Sequence, residues 1–388
     1  MNLNLNLNGG ALISQGAYGC IYYPEKTCKG NDKSDKKYVS KLQKDNHTLR
    51  NEVHIGKIVK RIPSYEKYFS IIEDVQCKQI NFENIDKNND CNVLKKQSHS
   101  HHSSFALTKS LYVSKNTLSS YITNKNDFGI MLEKLIHIFS KILVSLEKLQ
   151  DKTIIHLDLH HENIMIRNNK PIIIDFGISF TYNELSRYTT HEQIKQIFFV
   201  YAPDFFSIPP EFHYISYLVD MKNNSSQKRD PSYTVFQDIK NKQSFFRLLL
   251  TSNEIEAYYR ELERVLKQLG RDPVKIIREI SWKTWDVYMI CINWLRFLRF
   301  MRDSSTMMQD NVVFKPFLSL LKQGIHPNPL KRISLSTLKE KIKLFTEHVL
   351  KNKGLRNTYM GKYTRVQLKR LKDENTFLAT RIQKYNSL

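Results

Sequence analysis

The sequence predicts an α+β protein in which a small strand-rich part precedes a large helical part. About the first 115 of the 388 residues hold short apolar runs separated by turn residues, whereas the following part, about 270 residues, repeats apolar residues at helical spacing. Hydrophobic residues make up 41% of the chain, which excludes a wholly disordered protein. Because strands and helices are segregated along the chain, we expect two lobes with a cleft between them.

The strand-rich part begins with a predicted hairpin over Leu12–Tyr23, where apolar residues flank a short turn that contains glycine. A short strand over Tyr38–Leu42 and a helix over Asn46–Ile62 follow, and a proline directly after the helix ends it. Two more strands are predicted over Phe69–Val75 and Ser104–Thr108. Together these elements predict a small sheet with one helix.

The polar stretch Gln76–Ser103 is predicted to be a surface insertion between two of these strands. It contains three histidines, His99, His101 and His102. A metal site is the alternative interpretation, but no cysteine or acidic cluster accompanies the histidines in the sequence.

The helical part starts with a clean apolar stripe between Leu132 and Leu149. Two short strands, Ile164–Ile166 and Ile172–Ile174, are joined by an Asn-Asn pair that is typical of a hairpin turn. From about residue 211 to 350 the periodicity is mostly helical, with a predicted loop at Lys222–Ser232. The most apolar run, Val287–Phe300, carries two arginines and predicts a buried core helix rather than a membrane span.

The net charge bears on the binding partners, and the cysteine content bears on the cellular compartment. The formal net charge is +22, which favours acidic partners such as nucleotides, acidic protein segments or nucleic acid, or simply reflects a lysine-rich surface. No uncharged stretch is long enough to span a membrane, and the N-terminus lacks the pattern of a secretory signal. The five cysteines form no CxxC pair, so we expect an intracellular, cytoplasmic protein without disulfides or a zinc site.

The clearest chemical signal is the segment His156–Asn163 followed, twelve residues later, by Asp175-Phe176-Gly177. Phosphoryl transfer needs a carboxylate beside the attacking hydroxyl, and oxygen ligands that hold Mg²⁺ against the phosphates. Asp158 is the candidate catalytic carboxylate, and Asn163 and Asp175 are the candidate metal ligands. The predicted hairpin between them carries the chain away and back, so that both can face one metal cluster.

These two segments resemble the catalytic loop H-R-D-L-x-x-x-N and the metal loop D-F-G of the protein kinase fold. The resemblance implies an enzyme that uses ATP and Mg²⁺ to phosphorylate serine or threonine in a protein substrate. Earlier positions fit the same family. The segment from Ser14 to Ile21 resembles the family's glycine-rich turn, which contacts the ATP phosphates. The matching residues are Ser14, Gly16, Gly19 and Ile21, with Ser14 in place of the first glycine. Lys41 resembles the catalytic lysine that binds the α- and β-phosphates, and Glu52 is its candidate partner, with Glu66 a poorer one.

Three later positions are similar to structural positions of the family. Glu211, after two prolines, resembles the end of the activation segment, and Asp286 resembles the aspartate that binds the catalytic-loop backbone. Arg332 resembles the arginine that forms a buried ion pair with that glutamate. Kinase-like small-molecule phosphotransferases generally lack this pair. The resemblance therefore covers about residues 10 to 350.

This resemblance predicts the division of the chain. Residues 1–9 form a low-complexity N-terminus, 10–115 the kinase N-lobe, and 116–350 the C-lobe with a helical insert at about 212–285. Residues 351–388 form a basic tail with ten Lys or Arg against two Asp or Glu, which is a candidate docking helix or nucleic-acid contact.

Two departures from the family pattern leave other functions open. Leu157 replaces the arginine that binds a phosphorylated activation loop, and His160 stands where serine/threonine kinases have a lysine. A small-molecule phosphotransferase of the aminoglycoside or choline kinase type and a non-enzymatic pseudokinase scaffold are the alternatives.

A narrower resemblance, to the serine/threonine kinases of large cytoplasmic DNA viruses, rests on the start GAYGCIYYPE, the loop HLDLHHENIMI and the Asn/Lys-rich composition. It implies the host cytoplasm or the virion as the location of the protein.

Overall fold

The protein is described from a computed structural model. The structure describes residues 8–16, 19–28, 35–81, 91, 104–123, 128–199, 201–205, 207–221, 230–242, 250–304 and 313–347. The three histidines of the predicted insertion and the basic tail lie outside these residues. The chain divides into two compact units. Among the described residues, the first unit takes those up to Lys115 together with Ile172–Ser179, and the second takes Asn116–Pro171 and those from Phe180 onward.

The first unit is built on an antiparallel five-stranded sheet with the strand order β1-β2-β3-β5-β4. Its strands are β1 (Asn8–Gly16), β2 (Gly19–Thr27), β3 (Tyr38–Lys44), β4 (Ile72–Asn81) and β5 (Ser104–Leu111). Tyr22, Leu42 and Phe105 are buried together on this sheet, as expected for strands with one apolar face. Helix α1 (His47–Val59) packs against β4, and the side chain of Asn46 caps its start.

Two sequence predictions in this unit need correction. The helix ends at Val59 rather than at Ile62, and the residues before the proline form turns. Strand β4 runs on to Asn81, so the start of the predicted insertion is part of the sheet. Polar residues such as Gln76 interrupt the apolar pattern that predicts a strand. Within the sheet, the Gln76 amide donates a hydrogen bond to the Glu25 carboxylate over 3.1 Å.

The prediction of no disulfides is wrong in this structure. Cys20 is bonded to Cys91, and Cys28 to Cys77; Cys291 alone is a free, buried thiol. The paired residues are 71 and 49 positions apart in the chain, so no short spacing marks them. Only the folded sheet brings them together.

The second unit is mostly helical. Its helices, in chain order, are α2 (Leu118–Thr123), α3 (Phe128–Asp151), α4 (Tyr182–Leu185), α5 (His191–Lys195), α6 (Pro210–Met221), α7 (Pro231–Lys242), α8 (Ser252–Gln268), α9 (Pro273–Glu279), α10 (Trp285–Ser304), α11 (Phe314–Gly324) and α12 (Leu335–Phe345). The apolar stripe predicted between Leu132 and Leu149 lies on the buried face of α3. Among the helices that the structure describes, none is both long and apolar enough to cross a membrane.

Helix α10 forms the centre of this unit, because Trp285 and Trp294 are fully buried. The Trp294 indole donates to the carbonyl oxygen of Leu135 on α3 over 2.9 Å, which satisfies the buried N–H group. This is the buried helix that the apolar run of the sequence predicts.

Short strands flank the predicted motifs. The strands β6 (Ile154–Ile155) and β9 (Phe180–Thr181) pair with each other, and β7 (Ile164–Arg167) pairs with β8 (Lys170–Ile173). Both turn residues between β7 and β8, Asn168 and Asn169, have a positive φ, as a tight type I′ hairpin requires. The strand bounds differ from the predicted ones by one or two residues.

The region predicted as an insert contains α6 to α9. Its predicted loop is partly wrong: residues 222–229 lie outside the described part, but α7 already begins at Pro231. The reason is local. Proline fits the first position of a helix, and the side chain of Asp230 accepts a hydrogen bond from the backbone N–H of Ser232 over 3.0 Å.

The buried ion pair between Arg332 and Glu211 is present in the second unit. The two guanidinium N–H groups donate to the two carboxylate oxygens over 2.9 and 3.2 Å, and both side chains are essentially unexposed. Arg332 also donates to the carbonyl oxygen of His326 and to Thr284. Its charge is therefore compensated on all sides.

We predict that Arg332→Met lowers the free energy of unfolding by about 3–5 kcal/mol, because it leaves the Glu211 carboxylate buried without a partner. The double variant Glu211→Met with Arg332→Met should lose clearly less, because no charge is then left unpaired. Denaturant unfolding of both variants measures the difference. A double variant as unstable as the single one would contradict the prediction.

His213 makes part of the stability of this unit dependent on pH. It is fully buried on α6, and its Nε2 donates to the carbonyl oxygen of Phe205 over 3.3 Å. Burial lowers the pKa of His213 to about 4. The ordinary histidine pKa is about 6.5, so between these values the unfolded chain binds more protons than the folded one.

We predict that acidification from pH 6.5 to 4 costs the native protein at most about 3 kcal/mol through His213. His213→Gln keeps a donor for Phe205 but cannot be protonated, so its unfolding free energy should fall less steeply over this interval. Denaturant unfolding at several pH values gives both slopes, and identical slopes would contradict the prediction.

Candidate active site

Register in the sheet aligns the predicted nucleotide-contacting residues of the first unit. Ser14 on β1 lies opposite Ile21 on β2, and Ile21 lies opposite Lys41 on β3. Gly16 and Gly19 form the last pair before the turn, of which residues 17 and 18 lie outside the described part. These positions lie next to one another because the strands are antiparallel and in register.

Gly19 has a conformational reason to be glycine. Its φ is +146°, and a Cβ at this position would overlap the carbonyl oxygen of Leu42 on the neighbouring strand. Only glycine allows the backbone of β2 to approach β3 this closely.

Lys41 lies between two carboxylates. Its Nζ is 3.5 Å from Glu52 Oε2 and 3.6 Å from Asp175 Oδ2. Strand β3, helix α1 and the segment after β8 therefore bring three predicted site residues together within the first unit. Glu66, the poorer candidate partner, lies instead on an exposed 3₁₀ turn, Tyr65–Lys67.

The electrostatics of this cluster favour a charged lysine. Burial alone would lower the pKa of Lys41, but the nearby charges of Asp175 and Glu52 outweigh it and raise this pKa above its ordinary value. Burial also raises the pKa of Glu52, and the charge of Asp175 adds to that effect, whereas Lys41 opposes it. The single ammonium group of Lys41 therefore forms ion pairs with both carboxylates.

The segment Asp175–Ser179 is held by its own backbone and by α1. Asp175 has a φ of +66°, and its Oδ1 accepts a hydrogen bond from the N–H of Gly177 over 3.3 Å. The Asn51 side chain donates to the carbonyl oxygens of Gly177 and Ser179 over 2.9 and 2.7 Å. Helix α1 therefore positions this segment through Asn51 and contacts Lys41 through Glu52.

In the second unit, Asp158 and Asn163 are joined directly. The amide of Asn163 donates to both the backbone carbonyl and the carboxylate oxygen Oδ2 of Asp158, each over 3.0 Å. Both side chains are largely buried. The amide nitrogen of Asn163 is occupied by these bonds, which leaves its carbonyl oxygen as the atom for a ligand.

Two of the three histidines of the loop, His156 and His160, use Nδ1 as a hydrogen-bond acceptor. His160 Nδ1 accepts from the backbone N–H of Glu162 over 3.2 Å, so in the neutral ring the proton lies on Nε2. This Nε2 is 3.6 Å from Asp158 Oδ1. His156 Nδ1 accepts from the backbone N–H of Asp158 over 3.2 Å. His160 thus places an N–H donor where the family pattern has a lysine.

The side chain of Asp286 binds the backbone at the start of this loop. Its carboxylate oxygens accept hydrogen bonds from the backbone N–H groups of His156 and Leu157 over 2.9 and 3.1 Å. Burial raises the pKa of Asp286, while these donors and His156 oppose the rise. Leu157 itself is buried with a φ of +61°, so the loop is tightly turned at this point.

Three residues that contact the candidate site residues or their loops are not predicted by any sequence motif. Asn51 binds the segment after Asp175, as described above. On α10, Asn293 donates to the carbonyl oxygen of Leu159 over 2.8 Å, and the guanidinium of Arg296 lies 3.1 Å from His161 Nδ1. The signal for Asn293 and Arg296 is in the sequence: both are polar residues inside the most apolar run of the chain, where a polar side chain needs a buried partner.

The predicted metal ligands have the right chemistry. Asn163 and Asp175 offer amide and carboxylate oxygens, which Mg²⁺ prefers. Among the residues described, no group of three or more His, Cys, Asp or Glu side chains is arranged to hold a metal ion. A Mg²⁺ ion that also binds substrate phosphates usually has only one or two protein ligands. Asn163 belongs to the second unit and Asp175 to the first, so their meeting at one metal stays a prediction.

A family model for protein tyrosine and serine/threonine kinases matches residues 10–208, which is just over half of the 388-residue chain. The chain belongs to this kinase family. The predicted protein kinase fold, with a strand-rich N-terminal and a helical C-terminal part, is thereby confirmed. No sequence among the curated proteins matches the chain.

The kinase family match ends before Glu211, Asp286 and Arg332. Their places in the family pattern rest on the sequence motifs and on the contacts given above. Family membership implies a protein kinase that uses ATP and a protein substrate, and typically a divalent metal ion.

We predict that Lys41→Met weakens ATP binding roughly 10- to 100-fold, because a half-buried cation that would bind phosphate oxygens is removed. Lys109→Met is the matched control, since Lys109 lies on β5 of the same sheet and forms an ion pair with Glu25 over 2.9 Å. Calorimetric titration of both variants with ATP and Mg²⁺ gives the affinities. Equal affinities in the two variants would remove Lys41 from the nucleotide site.

Proposed function

We propose that the protein is an active serine/threonine-protein kinase that transfers the γ-phosphoryl group of ATP, with Mg²⁺, to hydroxyl groups of protein substrates. The observation that carries the proposal is the pairing of Asp158 with Asn163 in a loop whose backbone is fixed by Asp286. This arrangement offers an oriented carboxylate beside an oxygen ligand for metal, which phosphoryl transfer requires.

Asp158 is the proposed catalytic carboxylate. The Asn163 amide donates to its Oδ2, whereas His160 Nε2 lies 3.6 Å from its Oδ1, beyond hydrogen-bond distance. The carboxylate is thereby held in one orientation, in which Oδ1 can accept a hydrogen bond from the attacking hydroxyl. Most of the rate would come from such positioning and from charge stabilisation, because phosphoryl transfer needs little covalent participation by the protein.

Lys41 is proposed to bind the phosphates, and Glu52 to hold Lys41 in place. The register that aligns Ser14, Ile21 and Lys41 supports a nucleotide site along β1 to β3. In this site the backbone N–H groups of the glycine turn would approach the phosphates.

Asn163 and Asp175 are the residues proposed to hold Mg²⁺. The bound ion would neutralise charge on the phosphate oxygens during transfer. The protein's own contribution is to keep both ligands oriented: Asn163 through its bonds to Asp158, and Asp175 through the N–H of Gly177.

Two observations favour this function over the alternatives. The buried Glu211–Arg332 pair is a feature that kinase-like small-molecule phosphotransferases generally lack. The set of Lys41, Asp158, Asn163 and Asp175 is complete, which disfavours a scaffold without activity. The choice of serine and threonine over tyrosine rests on the resemblance of the catalytic loop alone.

We predict that Asp158→Asn lowers kcat by about 10²–10⁴ and changes nucleotide affinity only modestly, because Asn keeps the bond to Asn163 but cannot accept the hydroxyl proton. Transfer from labelled ATP to generic proteins gives kcat, and titration with ATP gives the affinity.

Asp204→Asn, at a turn in the second unit away from Asp158 in the sequence, is the control, with kcat expected within about twofold of the intact chain. Unaltered turnover in Asp158→Asn would exclude this residue from the catalytic role.

A further inference from the structure

Helix α10 contacts the catalytic loop at more places than Asp286 alone. Asp286 and Asn293 are seven residues apart, so they lie about 20° from one another around the helix axis and two turns apart along it. Arg296 follows about one turn later. The three side chains therefore form a row of about 15 Å along the helix, and each of them contacts the segment His156–Asn163.

Asn293 holds the middle of the loop. Its amide nitrogen donates to the carbonyl oxygen of Leu159, the residue directly after Asp158, over 2.8 Å. A second bond of 2.8 Å to the carbonyl oxygen of Met289, on the preceding turn of α10, fixes the orientation of the amide. Ser207 Oγ lies 3.4 Å from the same nitrogen. Asn293 is only 2% exposed, so water does not compete for these bonds.

Arg296 holds the other side of the loop. Its guanidinium lies 3.1 Å from His161 Nδ1, and both side chains are buried. Arginine can only donate, so Nδ1 must accept and the proton of the neutral ring lies on Nε2. This Nε2 is 3.4 Å from Glu162 Oε1. The contact thus fixes the ring of His161, two residues before Asn163.

We propose that Asn293 and Arg296 are positioning residues that, with Asp286, hold Asp158 and Asn163 in the geometry needed for phosphoryl transfer. Asp286 fixes the loop before Asp158, Asn293 fixes it directly after Asp158, and Arg296 fixes it before Asn163. A shift of the loop backbone at any of these places would displace the carboxylate or the amide that pair with each other. The inference rests on the proposed kinase function.

The test compares Asn293→Leu and Arg296→Met in the full-length chain. Leu fills a similar space without donating, and Met keeps the length of the arginine stem without its charge. Arg299→Met is the matched control, because Arg299 lies one turn further on the same helix and pairs with Asp303 there over 3.2 Å. Arg296→Lys restores a cation and should recover part of the effect.

The first readout is hydrogen exchange of the peptide that covers His156–Asn163, followed by mass spectrometry. We expect exchange in this peptide to speed up about tenfold or more in Asn293→Leu and Arg296→Met, because the loop is released from one anchor. Arg299→Met should leave it unchanged. This readout does not need catalytic turnover, so it decides the anchoring even if the wild-type chain transfers no phosphoryl group.

The second readout is steady-state phosphoryl transfer from ATP to a generic protein. We expect kcat to fall roughly 10- to 100-fold, since small misplacements of reacting groups have effects of this size, while KM for ATP stays within about twofold. In the Asp158→Asn background, Asn293→Leu should cause no further loss, because the residue acts through Asp158.

Three results would overturn the proposal. The loop peptide could exchange at the wild-type rate in both variants. Exchange could instead rise across the whole chain, with kcat and KM changing together, as for a residue that merely supports folding. The losses from Asn293→Leu and Asp158→Asn could also multiply independently. A wild-type chain without any transfer activity would instead count against the kinase function itself.

Discussion

The carboxylate of Asp286 accepts hydrogen bonds from the backbone N–H groups of His156 and Leu157, and the placement of the candidate catalytic loop in the second unit depends on this interaction. Burial of the carboxylate is costly, but two donors offset that cost. They also fix the turn at Leu157, a residue in the left-handed region. Because Asp158 follows directly, its carboxylate is positioned by a helix in the core and not by the flexibility of a surface loop.

In the first unit, three charged side chains lie close together and are only partly exposed. One ammonium group, that of Lys41, lies between the carboxylates of Glu52 and Asp175. The cluster carries an excess of negative charge, which suits a metal ion, and its cation suits phosphate oxygens. Helix α1 contacts both parts of the cluster, since neighbouring residues, Asn51 and Glu52, bind the Asp175 segment and Lys41.

The sequence predicts the fold class better than it predicts contacts between distant side chains. Short motifs with fixed spacing mark Asp158, Asn163 and Asp175, because their chemistry restricts the residue type and the distance along the chain. Asn51, Asn293 and Arg296 belong to no such motif, and the position of Asn293 and Arg296 in an apolar run indicates a buried partner without identifying it, since their partners lie more than 100 residues away in the sequence. The disulfides join cysteines 71 and 49 residues apart, which no short spacing marks, and the end of β4 is mostly polar.

The central proposal is that this protein phosphorylates serine or threonine in other proteins. The identity of the phosphorylated residue tests it most directly. The intact chain would be incubated with labelled ATP, Mg²⁺ and a mixture of generic proteins, and the labelled amino acids would be identified after hydrolysis. The proposed function predicts phosphoserine and phosphothreonine without phosphotyrosine. Label on tyrosine alone, or on small hydroxyl compounds but never on protein, would contradict it.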